Sequence, residues 1–212
     1  MELKFRNVTK SDQREVEELT REAFWNVYAP GCDEHYLAHL LWQSEALIPE
    51  LALVAELDGE LAGNILYTRA GIVDGQGEEH AVATFGPVSV RPKLQGRGIG
   101  QKLIEHSLSL ARGMGIPAVF IYGDPDYYRR CGLLPAERFG VRNREGKFAA
   151  ALQGIELLPG ALRGITGRFA EDPVFEIDPA ASKEFDRSFP KKEKGYAPSQ
   201  DRFLELVGMV HD

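Results

Sequence analysis

The stretch Val88-Ser89-Val90-Arg91-Pro92-Lys93-Leu94-Gln95-Gly96-Arg97-Gly98-Ile99-Gly100 decides how this chain folds. An apolar, β-rich run leads into it, and a segment with helical periodicity, residues 98–113, leads out of it. Its glycines allow a ligand to approach the backbone closely, and the free N–H groups at a helix N-terminus attract anions. Residues 81–104 contain no Asp or Glu, although the chain of 212 residues has 32. The stretch therefore predicts a site for a phosphate-bearing ligand.

Upstream of the glycines, the sequence predicts one strand, two helices and then an antiparallel meander. Thr9 and Asp12 fit the capping box that opens a helix. Asp58-Gly59 is a hairpin turn signal, and Asp74-Gly75-Gln76-Gly77 is a second turn. The expected elements are a strand over residues 2–8, helices over about 9–28 and 33–44, and strands over 51–57, 60–72 and 80–90.

Downstream, the helix over residues 98–113 is followed by a β-rich run over 117–122. A strand, a crossover helix and a strand predict a parallel βαβ unit. A helical turn over 125–131, strands near 134–141 and 147–158, and a last helix over about 199–210 complete the expected elements. The fold class is therefore α/β (α+β): a mixed central sheet with an antiparallel N-terminal part and a parallel βαβ unit around the glycine-rich loop.

Composition and charge limit the function. The formal net charge is −7, and a dedicated nucleic-acid-binding domain is usually basic, so no nucleic-acid partner is expected. Cys32 and Cys131 form neither a disulfide framework nor a zinc pattern, and we interpret them as free thiols in a reducing compartment. The charged segment over residues 1–7 has no apolar signal core. We therefore expect a cytoplasmic protein without a membrane partner.

The histidines do not predict a metal site. His35 and His39 are four residues apart on a predicted helix, but an H-E-x-x-H motif would need Glu at the position of Tyr36. No third ligand is evident from the sequence. We therefore expect no metal, and His35 and His39 to form a helix face or a pocket wall.

Two motifs together resemble the GNAT N-acetyltransferase superfamily. Gln95-x-x-Gly98-x-Gly100, after Val90-Arg91-Pro92, resembles the acetyl-CoA loop [RQ]-x-x-G-x-[GA] of that family. Tyr127-Tyr128-Arg129-Arg130-Cys131-Gly132-Leu133 resembles its Y-x-x-x-G-F segment, with Leu in place of Phe. The resemblance implies the GNAT acyl-CoA N-acyltransferase fold and transfer of an acetyl group from acetyl-CoA to a primary amine. The implied acceptor is a small-molecule or peptide amine, and the protein is a monomer or homodimer.

The resemblance also implies roles for residues. Tyr128 stands at the position of the general acid, and Arg91, Lys93, Arg97 or Lys102 could neutralise the phosphates of CoA. The general base that takes the proton of the amine is either a water molecule or an acid such as Glu22 or Asp124, and the sequence leaves both open. The implied cofactor-binding residues are Val88, Val90, Gln95, Gly96, Arg97, Gly98, Ile99, Gly100 and Gln101. The expected domains are a transferase domain over residues 1–172 and a packed C-terminal extension over 173–212, whose aromatic residues are costly to leave in water.

Other functions fit parts of the pattern. Gly96 and Gly98 match the start of the dinucleotide fingerprint G-x-G-x-x-G, and Asp124 follows the next strand as a ribose-binding acid would. Gln101 occupies the third glycine position, however, and the meander upstream is antiparallel. A module that binds acyl-CoA without turnover, and a turn that holds no ligand, are further alternatives.

Overall fold

A mixed sheet of nine strands passes through the middle of the protein, in a computed structural model that describes residues 2–212. The helices are α1 (Gln13–Phe24), α2 (Glu34–Leu41), α3 (Ile99–Gly113), α4 (Pro125–Tyr128), α5 (Pro179–Asp186) and α6 (Pro198–Gly208). The strands are β1 (Leu3–Asn7), β2 (Leu53–Leu57), β3 (Glu60–Val73), β4 (Glu79–Val90), β5 (Ala118–Tyr122), β6 (Leu134–Pro135), β7 (Val141–Arg142), β8 (Phe148–Ala149), β9 (Leu152–Glu156), β10 (Gly167–Ala170) and β11 (Val210–His211).

The N-terminal half of the sheet is the expected antiparallel meander β1-β2-β3-β4. Asp58 and Gly59 have φ angles of +53° and +89°, which is the pair of positive values that a two-residue hairpin needs. At the next turn, the Asp74 carboxylate accepts the N–H groups of Gln76 and Glu78. Both turn predictions are confirmed. They could be made from the sequence because each turn depends on residues that lie next to one another.

The β4-α3-β5 unit is parallel, as expected, and its two strands soon diverge. Only Ala83 and Val119 are in register between β4 and β5. Beyond that point β5 pairs with β9 on its other edge, while β4 stays paired with β3 up to Val90. The result is a gap in the sheet beside residues 86–90. The mixed sheet and its parallel unit confirm the predicted fold class.

The two faces of the sheet are covered by different helices. Leu103 of α3 packs in the same buried cluster as Val119 of β5. Leu19 of α1 packs with Val54 of β2 on the opposite face, where α2 also lies. Since alternate strand residues point to opposite faces, α3 and the glycine-rich loop lie on one side of the sheet, and α1 and α2 on the other.

Several boundaries differ from the sequence prediction, and α2 ends at Leu41 rather than at residue 44. The first helix ends at Phe24 rather than Tyr28, because Trp25 leaves the helical region and Asn26 has φ +62°. The strand expected near 134–141 is wrong: a 3-10 helix over Ala136–Phe139 separates β6 from β7. The strand expected over 147–158 is divided into β8 and β9.

The C-terminal segment packs against α1 and α2. Asp186 of α5 pairs with Arg21 at 2.7 Å, and Arg21 is only 3% exposed. Phe189 of this segment is buried, whereas Tyr196 is 69% exposed. No helix within residues 2–212 is long and apolar enough to cross a bilayer.

Helix α6 is held at both ends. At its start, Ser199 Oγ donates to the Val27 carbonyl at 2.8 Å, and Gln200 Nε2 donates to the Asn26 carbonyl at 3.0 Å. At its end, β11 pairs with β8 as a two-stranded sheet. These contacts fix α6 on the α1 side of the gap between β4 and β5.

Candidate active site

The edge of β4 that faces the gap carries free peptide groups. The Arg91 N–H donates to the Ala62 carbonyl on β3 at 2.9 Å. Because peptide groups alternate sides along a strand, Ser89 also faces β3, and Val88 and Val90 face the gap. Gln95 Nε2 donates to the Val90 carbonyl at 3.0 Å, which ties the loop to the strand.

The glycine-rich loop opens helix α3 with its N–H groups exposed. Gly96 and Gly98 have φ angles of +72° and +77°, a conformation that favours glycine. The Lys102 N–H is the first to bond back into the helix, to the Gly98 carbonyl at 3.1 Å. The N–H groups of residues 99–101 precede that bond, so they have no intrahelical acceptor and are free for an anion.

A cavity of about 470 Å³ lies between the loop and the gap. It brings together eight of the nine residues expected to bind the cofactor: Val88, Val90, Gln95, Gly96, Gly98, Ile99, Gly100 and Gln101. Arg97 is exposed on the loop and is not among the lining residues. The sequence analysis missed four lining residues, namely Leu94, Tyr127, Arg130 and Cys131.

The cations near the loop differ in their availability. Arg91 is engaged by the Glu15 carboxylate and the Leu61 carbonyl, so it is directed towards α1 rather than into the cavity. Lys93 and Lys102 are exposed outside the cavity. Arg130, from the tyrosine segment, is the cation that lines it. The signal for Arg130 in the sequence is its place one helical turn after Tyr127.

The two adjacent tyrosines occupy places that only glycine leaves open. A Cβ atom on Gly100 would lie 2.6 Å from the Tyr127 hydroxyl oxygen. A Cβ atom on Gly123 would lie 2.1 Å from Tyr128 Cε2. Tyr127 therefore lies over the start of α3, and the Tyr128 ring lies against the backbone that follows β5.

Tyr128 lines a second cavity, of about 190 Å³, which reaches through the gap. Val88, Val90 and Gly100 line this cavity as well as the loop cavity, while Phe24 and Tyr28 contribute its wall on the α1 side. Burial, with smaller contributions from the neighbouring tyrosines, raises the pKa of Tyr128 well above its ordinary value. Its hydroxyl group is therefore protonated across the physiological pH range.

The acids considered as bases are paired with cations. Glu22 accepts a hydrogen bond from Lys192 Nζ at 2.6 Å. Asp124 accepts one from Arg202 Nε at 3.2 Å and another from the Asp126 N–H. Sequence reasoning missed Glu34, whose pKa is raised to about 7 by burial and whose charge is felt at Tyr28.

The histidine pair and the hairpin acids lie elsewhere. His35 is buried beside Phe185 and Phe189, and burial lowers its pKa to about 4. His39 contacts Glu17 at 2.9 Å. Within residues 2–212, one cluster of possible metal ligands is found, Asp74, Glu78 and His80, at the β3–β4 turn, where the Asp74 carboxylate already organises the hairpin.

The geometry described so far is that of a GNAT fold: a glycine-rich loop at a helix N-terminus beside two diverging parallel strands. The sequence model of the Acetyltransferase (GNAT) domain matches residues 4–136. The chain therefore belongs to the GNAT acetyltransferase family, and it is an N-acetyltransferase by family.

Three relatives illustrate the similarity. The uncharacterized N-acetyltransferase YjhQ of Escherichia coli K12 is 33% identical over 131 residues, which cover 62% of this chain and 69% of YjhQ. The E. coli GNAT family N-acetyltransferase YhbS, solved in complex with CoA, superposes with TM-score 0.73 at 27% identity, over 82% of this chain and 92% of that one. A Brucella melitensis GNAT family acetyltransferase, solved in complex with acetyl-CoA, superposes with TM-score 0.66 at 30% identity, over 82% of this chain and 98% of that one.

Proposed function

We propose that this protein transfers an acetyl group from acetyl-CoA to the primary amine of a small molecule or peptide, by direct attack of the amine on the thioester. The observation that carries the proposal is the gap between β4 and β5, which joins the loop cavity to the cavity of Tyr128. Two similar structures hold CoA or acetyl-CoA, and their names support the same cosubstrate here.

The residues present fit CoA. The free N–H groups around residues 96–101 suit a pyrophosphate, since a helix N-terminus with glycine-rich backbone is an anion site. Arg130 adds a positive charge at the same cavity. The free peptide groups of Val88 and the free N–H group of Val90 suit the amide groups of the pantetheine arm, which would lie along the gap as an added strand does.

The protein promotes the reaction by positioning the two reactants and by stabilising the charge that develops on the thioester oxygen. The thioester supplies an acyl group that is already activated, so no covalent enzyme intermediate is needed. The loop and β4 hold the donor, while the cavity wall at Phe24 and Tyr28 faces the amine from the other side of the sheet. Bringing both reactants to one gap lowers the entropic part of the barrier. The N–H group of Val88 or Val90 can stabilise the developing oxyanion.

Tyr128 is the proposed general acid. An ordinary tyrosine has a pKa about 1.5 units above that of a thiol, so proton donation to the thiolate is uphill by roughly 2 kcal/mol. Burial raises the pKa of Tyr128 further, but it also raises that of a thiolate formed in the same cavity, because both anions are desolvated. The difference between the pKa values of Tyr128 and the thiol therefore stays small enough for proton donation to the thiolate. Glu22 and Asp124 are each paired with a cation, so we propose that water takes the amine proton.

We further propose that residues 1–172 form the transferase domain and residues 173–212 an extension that covers the acceptor side. The match to the family covers residues 4–136, and the extension supplies α6 beside the gap. Residues 198–207 would then shape the acceptor site rather than the CoA site.

The test begins with thermal shifts in acetyl-CoA, CoA, NAD and ATP. Stabilisation by acetyl-CoA and CoA alone supports the cosubstrate; stabilisation by NAD or ATP alone refutes it. At 100 times Kd the expected gain is about 2.7 kcal/mol. A panel of amines with thiol detection then identifies turnover.

Tyr128→Phe is expected to lower kcat by about 10²-fold or more at unchanged affinity for acetyl-CoA. Tyr127→Phe, which removes the neighbouring hydroxyl group, is the matched control and is expected to retain kcat within a few-fold. An unchanged rate and pH profile in Tyr128→Phe would refute the general-acid role. Tight acetyl-CoA binding without thiol release from any amine would indicate a binding module instead of an enzyme.

A further inference from the structure

The face of α6 that looks towards the gap forms one wall of a third cavity, of about 380 Å³. Phe203, Leu206 and Val207 of α6 line this cavity together with Tyr28 and Tyr122. Four of these five side chains are exposed large hydrophobic residues in a single patch, and Val207 is 55% exposed. Soluble proteins rarely leave such a patch uncovered without a ligand or a partner for it.

Two polar groups at the edge of this cavity, the Ser199 hydroxyl and the Asp124 carboxylate, already have partners. Ser199 Oγ donates to the Val27 carbonyl, and the Asp124 carboxylate accepts from Arg202 and from the Asp126 N–H. A polar ligand body could reach the Tyr28 hydroxyl group, but beside Phe203, Leu206 and Val207 it would lose its hydration without gaining a partner, which is unfavourable. An apolar body would be transferred from water onto apolar surface, which is favourable.

This cavity is continuous with the proposed reaction site. Tyr28 and Asp124 line both it and the cavity of Tyr128. Two acids lie near Tyr28: after burial, the charges of Glu34 and of Asp124, which is paired with Arg202, raise the pKa of Tyr28 to about 12. The amine of an acceptor would therefore lie at the end formed by Tyr28 and Asp124, next to Tyr128, and its body would lie against the apolar residues of α6.

We infer that the acceptor is a primary amine carried on an aromatic or branched aliphatic body, and that the body binds in the cavity lined by α6, Tyr28 and Tyr122. The inference rests on the proposed acetyl transfer and names its substrate class. The Tyr28 and Phe203 rings, with centroids 4.9 Å apart and planes tilted by 35°, form one side of the pocket. Since α6 is held at both ends by hydrogen bonds, the pocket is formed before the acceptor arrives.

The experiment compares two amines that share an ammonium group and a two-carbon arm, 2-phenylethylamine and 2-aminoethanol, in the presence of CoA. Binding is measured by calorimetry on the full chain. We expect 2-phenylethylamine to bind at least tenfold more tightly, as expected when an apolar group enters an apolar pocket.

Two variants of α6 separate the pocket from the rest of the helix. Val207→Asn places an amide in the cavity and is expected to weaken binding of 2-phenylethylamine about tenfold. Leu204→Asn is the matched control, because Leu204 is 67% exposed on the same helix and does not line the cavity. Both variants are expected to bind CoA as the parent chain does.

The outcomes distinguish this inference from the proposed function. Equal affinities for the two amines, or equal effects of Val207→Asn and Leu204→Asn, would overturn the pocket assignment. Acetylation of 2-aminoethanol alone, unaffected by Val207→Asn, would overturn the pocket and support the acetyl transfer. Preferential binding of 2-phenylethylamine that Val207→Asn weakens, without thiol release, would support the pocket and contradict the transfer.

Discussion

Gly123 sets the position of the Tyr128 ring, and replacing it with alanine tests the proposed general acid without touching the tyrosine. The added Cβ atom would lie 2.1 Å from Tyr128 Cε2 and 2.8 Å from Cδ2, whereas ordinary contact begins at 3.4 Å. The ring must therefore retreat by about 1.3 Å, against neighbours that include Phe85 and Tyr127.

A displacement of this size is expected to lower kcat by about 10²-fold, because a shift of about 1 Å in a reacting group can cost that much. Overpacking is expected to cost roughly 1–3 kcal/mol of unfolding free energy. Affinity for acetyl-CoA should not change, since Gly123 is not part of the loop cavity. Gly113→Ala is the control: no atom lies within 4 Å of its Cβ, and an alanine within a helix is expected to stabilise by about 0.5–1 kcal/mol.

The assay is steady-state thiol release with an active amine, combined with calorimetric binding of acetyl-CoA and thermal denaturation. Gly123→Ala is also measured in the Tyr128→Phe background. If Gly123→Ala lowers kcat by misplacing the Tyr128 hydroxyl group, then adding Gly123→Ala to Tyr128→Phe, which lacks that hydroxyl, should lower kcat little further. Losses that multiply in the double variant would refute the reasoning, as would a Gly123→Ala enzyme with the parent kcat.

Three further predictions concern charge. Because burial raises the pKa of Glu34 to about 7, its contribution to stability is full below pH 4.5 and is lost as the pH rises through 7. Glu34→Gln should raise the unfolding free energy by about 3 kcal/mol at pH 8 and leave it unchanged at pH 4, as measured by urea denaturation. Arg130→Ala is expected to weaken acetyl-CoA binding about three- to tenfold, more at low salt, whereas Arg129→Ala, outside the cavity, should bind as the parent does in the same titration. Asp186→Asn leaves the buried Arg21 guanidinium without its anion, and should cost about 3 kcal/mol, or roughly 8 °C in Tm by calorimetry.

The sequence was informative where structure depends on neighbouring residues. The glycine-rich loop, the Asp58-Gly59 hairpin and the crossover helix are each encoded in a short segment, so that their type and order could be predicted. The prediction of a strand near residues 134–141 overlooked two local signals in the sequence. Pro135 lacks a ladder donor, and Gly140 adopts φ +69°, which ends the 3-10 helix between the two short strands.

Sequence reasoning failed where the choice depends on distant partners. Arg91 and Arg130 are both arginines next to the two GNAT-like motifs. Arg91, however, pairs with Glu15, which is 76 residues distant in the chain, and so is directed away from the cavity. The apolar face of α6 is visible in the sequence, yet its direction is fixed by contacts with Asn26 and Val27 across more than 170 residues. Such contacts carry no signal in a single sequence.

The opening of the gap to both faces of the sheet has a consequence for steady-state kinetics. The loop cavity is lined by the start of α3 and the α6 cavity by α6 and Tyr122, and the two share no lining residue, so a ligand in one does not fill the other. Donor and acceptor can therefore occupy the protein together, and one product does not have to leave before the second substrate arrives. Double-reciprocal plots at several fixed amine concentrations should intersect rather than run parallel, and a dead-end analogue of either substrate should leave binding of the other intact.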